Sequence, residues 1–145
     1  MPRAVAPPPS GEFTVRLTKP FSGPPKHTVE VIGEPNRSAS VRVSQYNGHH
    51  KSTEKDGDMP HDDVQELLRL VSELRGFPSN HTDDVYGQDA KVEFDTFEIQ
   101  WSNADDDPSA GSISELAFEQ KDDFKRIVQS IEALGRAFAK RDVAI

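Results

Sequence analysis

Cysteine is absent from this 145-residue chain. Its absence excludes disulfide bonds, thiolate nucleophiles and cysteine-based zinc sites, and it fits a reducing compartment. Hydrophobic residues make up 34% of the sequence, and no run approaches the ~18 apolar residues of a membrane-spanning helix. Residues 1–9 also lack the apolar segment of a signal peptide. We therefore expect a soluble, cytoplasmic protein without a membrane partner.

Basic residues are scarce relative to acidic ones. The chain has 17 Lys and Arg against 25 Asp and Glu, which gives a formal net charge of −8. Such a field repels phosphate backbones and favours cationic partners. We therefore expect no nucleic-acid partner.

The length fits one domain, because domains commonly have roughly 100–200 residues. Residues 1–11 contain four prolines, which neither continue a helix nor donate to a sheet, so they predict a disordered proline-rich tail. We expect a single domain over residues 12–141, followed by a C-terminal tail at 142–145.

Alternating apolar residues predict three strands in the first third of the chain. The runs lie at 13–17, 27–32 and 40–46, and period-two alternation is typical of a strand with one buried face. The next segment, 47–58, contains no apolar residue. We expect this segment to be a mobile polar loop, because nothing in it can attach to a core.

Two segments have the spacing of amphipathic helices. The first covers 60–75, with Pro60 favoured in the first turn and Gly76 and Pro78 marking the end. The second covers 122–138 and has the strongest helical periodicity in the chain. Its apolar positions are Phe124, Ile127, Val128, Ile131, Leu134 and Phe138.

The region between the helices predicts two more strands. Val92 and Phe94 share one parity, whereas Ile99 and Trp101 share the other, so we expect a bulge at residues 95–96. A strand at 113–118 would then complete a hairpin across a long polar loop. Together these elements predict an α+β fold: an antiparallel sheet of about five strands with two amphipathic helices packed on one face, in the order β-β-β-α-β-β-α.

No pattern in the sequence points clearly to catalysis. His49 and His50 are adjacent and lack the spacing that brings two imidazoles to one ion. Asp56-Gly57-Asp58 resembles the start of a calcium loop, but the residues that follow do not match it. His81 has acidic neighbours but no serine or cysteine nucleophile motif beside it. We expect no catalytic residue, no metal and no cofactor.

Two loops contain candidate partner contacts. Phe21 and Pro24 lie in the proline-rich segment Lys19–Pro25, where a stiff loop loses little entropy on binding; alternatively, Phe21 folds back and caps the core. Tyr86 is the one aromatic residue of the long loop at 79–89. Asp105 and Asp106 begin an acidic run that either attracts a cationic partner or is simply a solvated turn.

The element order resembles that of emfourins, which are small proteinaceous inhibitors of thermolysin-like metalloproteases. The resemblance covers roughly residues 13–138 and rests on element order and apolar placement. It includes the Phe-Ser-Gly turn at 21–23, the helix introduced by Met59-Pro60, the strands 97–101 and 113–118, and the final helix. The resemblance implies that a rigid loop such as Lys19–Pro25, or a loop between the later elements, occludes a protease cleft, with Phe21 and Tyr86 as candidate contacts.

These observations predict a non-catalytic protein-binding module, of which an emfourin-like inhibitor is one form. The alternative is a small-ligand-binding protein or enzyme that uses the open face of the sheet, with Tyr46 and Trp101 lining a pocket. A subunit of a larger assembly is a third possibility.

Overall fold

The computed structural model describes residues 12–34, 37–74, 77, 79, 84–96, 100–104 and 118–144. Seven strands and two helices lie within these residues, in the order β-β-β-β-α-β-β-α-β. The predicted α+β class and antiparallel sheet are confirmed, but the sheet has more strands than the five expected. Neither described helix is long and apolar enough to cross a membrane.

The described strands form one antiparallel sheet in the order β6-β5-β1-β2-β3-β4-β7. The first four strands are consecutive neighbours, whereas β5 and β6 extend the sheet beyond β1, and β7 extends it beyond β4. The strand bounds are β1 Phe13–Lys19, β2 His27–Gly33, β3 Ala39–Asn47, β4 His50–Met59, β5 Lys91–Asp95, β6 Gln100–Ser102 and β7 Arg141–Asp142.

Alternation along the strands separates an apolar face from a polar one. Phe13, Val15 and Leu17 of β1 are fully buried, whereas Arg16 between them is exposed. The same parity puts the buried apolar residues of β2 and β3 on the apolar face, because side chains directly opposite in the register share a face. We call the opposite, polar side the open face.

Both helices contribute to the core on the apolar face. Helix α1 (His61–Ser72) begins after Pro60 and buries Val64, Leu67 and Val71. Helix α2 (Phe118–Phe138) begins four residues earlier than predicted, because residues 118–121 include good helix formers. The predicted strand at 113–118 is therefore wrong at Phe118, and the rest of it lies outside the described residues. Buried side chains of both helices join those of the strands in one cluster.

The mobile loop predicted at 47–58 is wrong, because most of this segment is β4. The chain turns at Gly48, whose φ of +65° is the left-handed conformation that glycine adopts easily. It then pairs with β3 along its length, with one irregularity at Gln45/Tyr46. Main-chain hydrogen bonds make this strand, so apolar side chains are not required.

The bulge predicted at 95–96 is also wrong. Strand β5 ends at Asp95, and the chain returns antiparallel to it as β6 from Gln100. Phe94 of β5 lies opposite Trp101 of β6, and Asp95 lies opposite Gln100. The change of parity that suggested a bulge therefore comes from a hairpin, whose residues 97–99 lie outside the described residues.

The C-terminal domain boundary predicted at residue 141 is wrong, because a short strand, β7, continues to Asp142. Asp142 is opposite Lys55 of β4, and the Val143 N–H donates to the Glu54 carbonyl oxygen at 3.0 Å. This pairing was not predictable from the sequence, because β7 consists of two charged residues and shows no apolar alternation. The tail predicted at 1–11 lies outside the described residues.

Candidate functional site

A row of alternating charges crosses the open face of the sheet. Its members lie directly opposite one another in neighbouring strands, and unlike charges at such positions stabilise a sheet. From β5 to β7 the row consists of Glu93, Arg16, Glu30, Arg42, Asp56 and Arg141.

Ion pairs hold two parts of this row in place. Arg16 Nε donates to Glu30 Oε2 at 3.0 Å. Burial lowers the pKa of Arg16, but the hydrogen bond to Glu30 and the surrounding carboxylates outweigh burial, so the pKa lies above its ordinary value. At the other end, Arg141 Nε donates to Asp56 Oδ1 at 2.7 Å, and this bond raises the pKa of Arg141. Arg16 and Arg141 therefore stay charged at neutral pH.

Glu54 lies next to the row and interacts with Arg42 of the row and with Lys51 and Ser44. Its Oε1 accepts hydrogen bonds from Lys51 Nζ at 2.6 Å and from Ser44 Oγ at 3.2 Å. Arg42 Nε lies 3.9 Å from the same oxygen. The hydrogen bond from Lys51 is the main reason that the pKa of Glu54 is lowered, although desolvation opposes it.

A basin of about 420 Å³ opens above these groups. Four cations and two carboxylates are among the residues that line it, so its lining is net positive on a chain whose net charge is −8. Strand residues with hydroxyl groups and two residues of the β1–β2 loop, Gly23 and Pro25, complete its wall. The lining residues are Arg16, Thr18, Gly23, Pro25, Thr28, Glu30, Arg42, Ser44, Tyr46, Lys51, Lys91 and Glu93.

The β1–β2 loop is anchored at its base. The Phe21 side chain is 7% exposed, and the Phe21 N–H donates to Asp89 Oδ1 at 3.2 Å. The Lys26 N–H donates to the Lys19 carbonyl oxygen at 2.8 Å, and the Lys26 carbonyl accepts from the Tyr46 N–H at 2.9 Å. These bonds tie the loop to the β5 side and to β3.

The tip of this loop is exposed. Ser22, Gly23 and Pro24 all face solvent, and Gly23 has a φ of +86°, which most other residues avoid. Since Gly23 also lines the basin, the tip and the basin form one continuous surface.

Of the five predicted contact residues, two are buried, one is exposed and two lie outside the described residues. Pro24 is exposed at the loop tip. Phe21 is buried, which is the alternative in which it caps the core. Tyr86 is 3% exposed, and its ring stacks on Phe124 with a centroid distance of 4.2 Å. Asp105 and Asp106 lie outside the described residues, so their role stays a prediction.

The pocket predicted between Tyr46 and Trp101 is wrong. Tyr46 lines the basin on the open face. Trp101 is 9% exposed, and its Nε1–H donates to the Phe77 carbonyl oxygen at 3.0 Å. It lies opposite Phe94 in the register, on the apolar face, so Trp101 and Tyr46 lie on opposite sides of the sheet.

The cations of the basin were not predicted from the sequence. Arg16 and Arg42 occupy outward positions of strands that alternation identified correctly, so their exposure was predictable. Their position relative to Glu30 depends on strand register, and Lys51 belongs to a strand that was not predicted. The Asn47-Gly48 pair, a strong hairpin signal, is the feature that would have located β4.

Comparisons with known proteins leave the family unassigned. No protein-family model matches the chain, and no curated protein matches it. Within the described ranges, no group of three or more His, Asp or Glu side chains is placed to hold a metal ion. The resemblance to emfourins stays a prediction.

Proposed function

We propose that this chain is a non-catalytic protein-binding module whose contact surface is the loop tip, residues 22–24, together with the adjoining basin. The observation that supports this proposal is the contrast within one loop: Phe21 is buried, while the next three residues are exposed. A loop that is already fixed loses little conformational entropy when a partner binds, and this preorganisation favours affinity.

The basin adds a preference for the chemistry of the partner. Lys91 lines it and has no ion pair with another described residue. A partner segment that brings a carboxylate beside the loop tip would gain a charge-assisted contact with it. The net charge of −8 repels a strongly acidic partner as a whole, so we infer that the carboxylate is local.

The emfourin resemblance suggests a first partner, a thermolysin-like metalloprotease. In this form of the proposal, the anchored loop occupies the protease cleft and blocks substrate entry. The inhibitor stays intact because a rigid loop resists the adjustment that cleavage requires.

The test is a titration of the purified chain into a thermolysin-like metalloprotease, with peptide cleavage as the readout and a gel to check that the chain stays intact. We expect saturable inhibition. Ser22→Arg should weaken it by about tenfold or more, as expected for a contact near the centre of an interface. The matched control is Gln129→Arg, which puts the same side chain at an exposed position of α2 and should inhibit like the wild type.

Each outcome bears on a different part of the proposal. No inhibition at micromolar excess would refute the protease as partner. Inhibition that Ser22→Arg leaves unchanged would refute the loop tip as the contact surface. Cleavage of the chain in step with the loss of inhibition would identify it as a competing substrate.

A further inference from the structure

A second cavity lies on the apolar side of the sheet, where the last turns of α2 meet β2, β3 and β4. Its volume is about 600 Å³, within the roughly 300–1,000 Å³ of small-molecule sites. The floor of the groove is Val29, Val43 and Ala139, and its rim cations are Lys55, Arg136 and Lys140.

The floor is fixed by close packing of the helix on the sheet. A Cβ atom at Gly135 would lie 2.9 Å from Val43 Cγ2 and 3.2 Å from Val29 Cγ1. The absence of that atom lets α2 approach the strands this closely. Val29 and Ala139 are almost fully buried and Val43 is partly buried, so Val43 offers most of the apolar surface of the floor to a ligand.

None of the rim cations forms a close ion pair with a described residue, although Asp142 lies opposite Lys55 in the register. No ion pair or side-chain hydrogen bond joins any of them to another described residue. The carboxylate that lines the groove, Glu132, accepts a hydrogen bond from Lys19 Nζ at 3.0 Å. Three cations that lack a close ion pair among the described residues therefore surround one groove on a chain with a net charge of −8.

The helix dipole explains only part of this cluster. Cations near a helix C-terminus interact favourably with its negative end, which accounts for Arg136 and Lys140. Lys55 comes from β4, outside the helix. An anion bound between these elements would offset the repulsion among all three side chains.

We propose that the groove binds a small amphipathic carboxylate, with the carboxylate among the rim cations and the aliphatic chain on the apolar floor. The charge of the rim selects an anion, and the floor selects an apolar tail. The site is separate from the loop tip and from the open-face basin, so it does not depend on the proposed protein partner.

The experiment is a titration of the ¹⁵N-labelled full chain with octanoate, followed by amide chemical shifts. We expect saturable shifts at Val43, Gly135 and Lys140. Acetate supplies the charge without the tail, and 1-octanol supplies the tail without the charge. Each should bind at least about tenfold more weakly than octanoate, because each lacks one of the two interactions.

Variants test the rim directly. Lys55→Gln should weaken octanoate binding by about threefold, the effect of losing one exposed ion pair. The triple variant Lys55→Gln/Arg136→Gln/Lys140→Gln should weaken it by about tenfold or more. The control, Lys125→Gln, removes an exposed cation earlier on α2 and should bind octanoate like the wild type. Because all four positions are exposed, the fold should be retained.

Several outcomes would overturn the proposal. Wild-type affinity in the triple variant would exclude the rim cations as the carboxylate site. Equal affinity for acetate and octanoate would exclude the apolar floor, and equal affinity for octanol would exclude the charge. Shifts confined to residues away from the groove would place any octanoate binding elsewhere.

Discussion

Replacing Gly57 with alanine tests how closely α2 lies on β4. A Cβ atom at position 57 would lie 1.7 Å from the carbonyl oxygen of Phe138 and 2.8 Å from its carbonyl carbon. Real Cβ atoms essentially never approach other heavy atoms within 3.0 Å. To raise the 1.7 Å distance to 3.0 Å, the two main chains must therefore separate by more than 1 Å.

The cost is large because the obstacles are main-chain atoms, which cannot rotate away. Separation would also loosen the packing of Ala139, which is 5% exposed. Overpacking costs typically 1–3 kcal/mol, and lost apolar contact adds to it, so we expect the free energy of unfolding to fall by about 3 kcal/mol or more.

The assay is urea unfolding followed by the fluorescence of Trp101, the one tryptophan of the chain, which is 9% exposed in the native state. The matched control is Gly48→Ala, because Gly48 has a φ of +65° and no atom within 4 Å of its would-be Cβ. That variant should lose only about 1–2 kcal/mol from left-handed strain. A smaller loss for Gly57→Ala than for Gly48→Ala would refute the close approach of α2 to β4.

Two further substitutions test the hydrogen bonds of the buried Asn103 side chain and the ion pair between Glu54 and Lys51. Asn103 is 1% exposed; its Oδ1 accepts from the Val92 N–H and its Nδ2–H donates to the Ala90 carbonyl, so Asn103→Ala should lower the unfolding free energy by about 2–4 kcal/mol. A loss below about 1 kcal/mol, measured by urea unfolding, would contradict these two hydrogen bonds. Glu54 has a lowered pKa, mainly through Lys51, so its contribution to stability should be lost as pH falls from about 4.3 through the lowered pKa. Glu54→Gln should therefore lose less stability over that range, and identical acid-unfolding curves would contradict the assignment.

The parts of the fold that depend on apolar periodicity were predictable from the sequence. Helix α1 begins at His61 and α2 ends at Phe138, close to the predicted bounds, because buried stripes repeat at helical spacing. Strands β1 to β3 follow from alternation for the same reason. In each case, the side chains that form the core also define the element.

The remaining elements depend on main-chain pairing, which side-chain polarity does not reveal. Strand β4 was missed because its only buried residue is Met59. The hairpin between β5 and β6 was misread because a reversal and a bulge change parity in the same way. The basin combines residues such as Arg16 and Lys51, which are 35 positions apart and come together only through strand register.

The polar character of β4 has a consequence for the growing chain during synthesis. The outer edge of β4 is covered at Lys55 and Asp56 by Arg141 and Asp142, so the ribosome must add about 85 residues before this cover exists. An uncovered strand edge is a template for pairing with another chain, and charged side chains discourage such pairing. We therefore expect the lysines and carboxylates of β4 to protect the nascent protein from aggregation during the interval in which its sheet is unfinished.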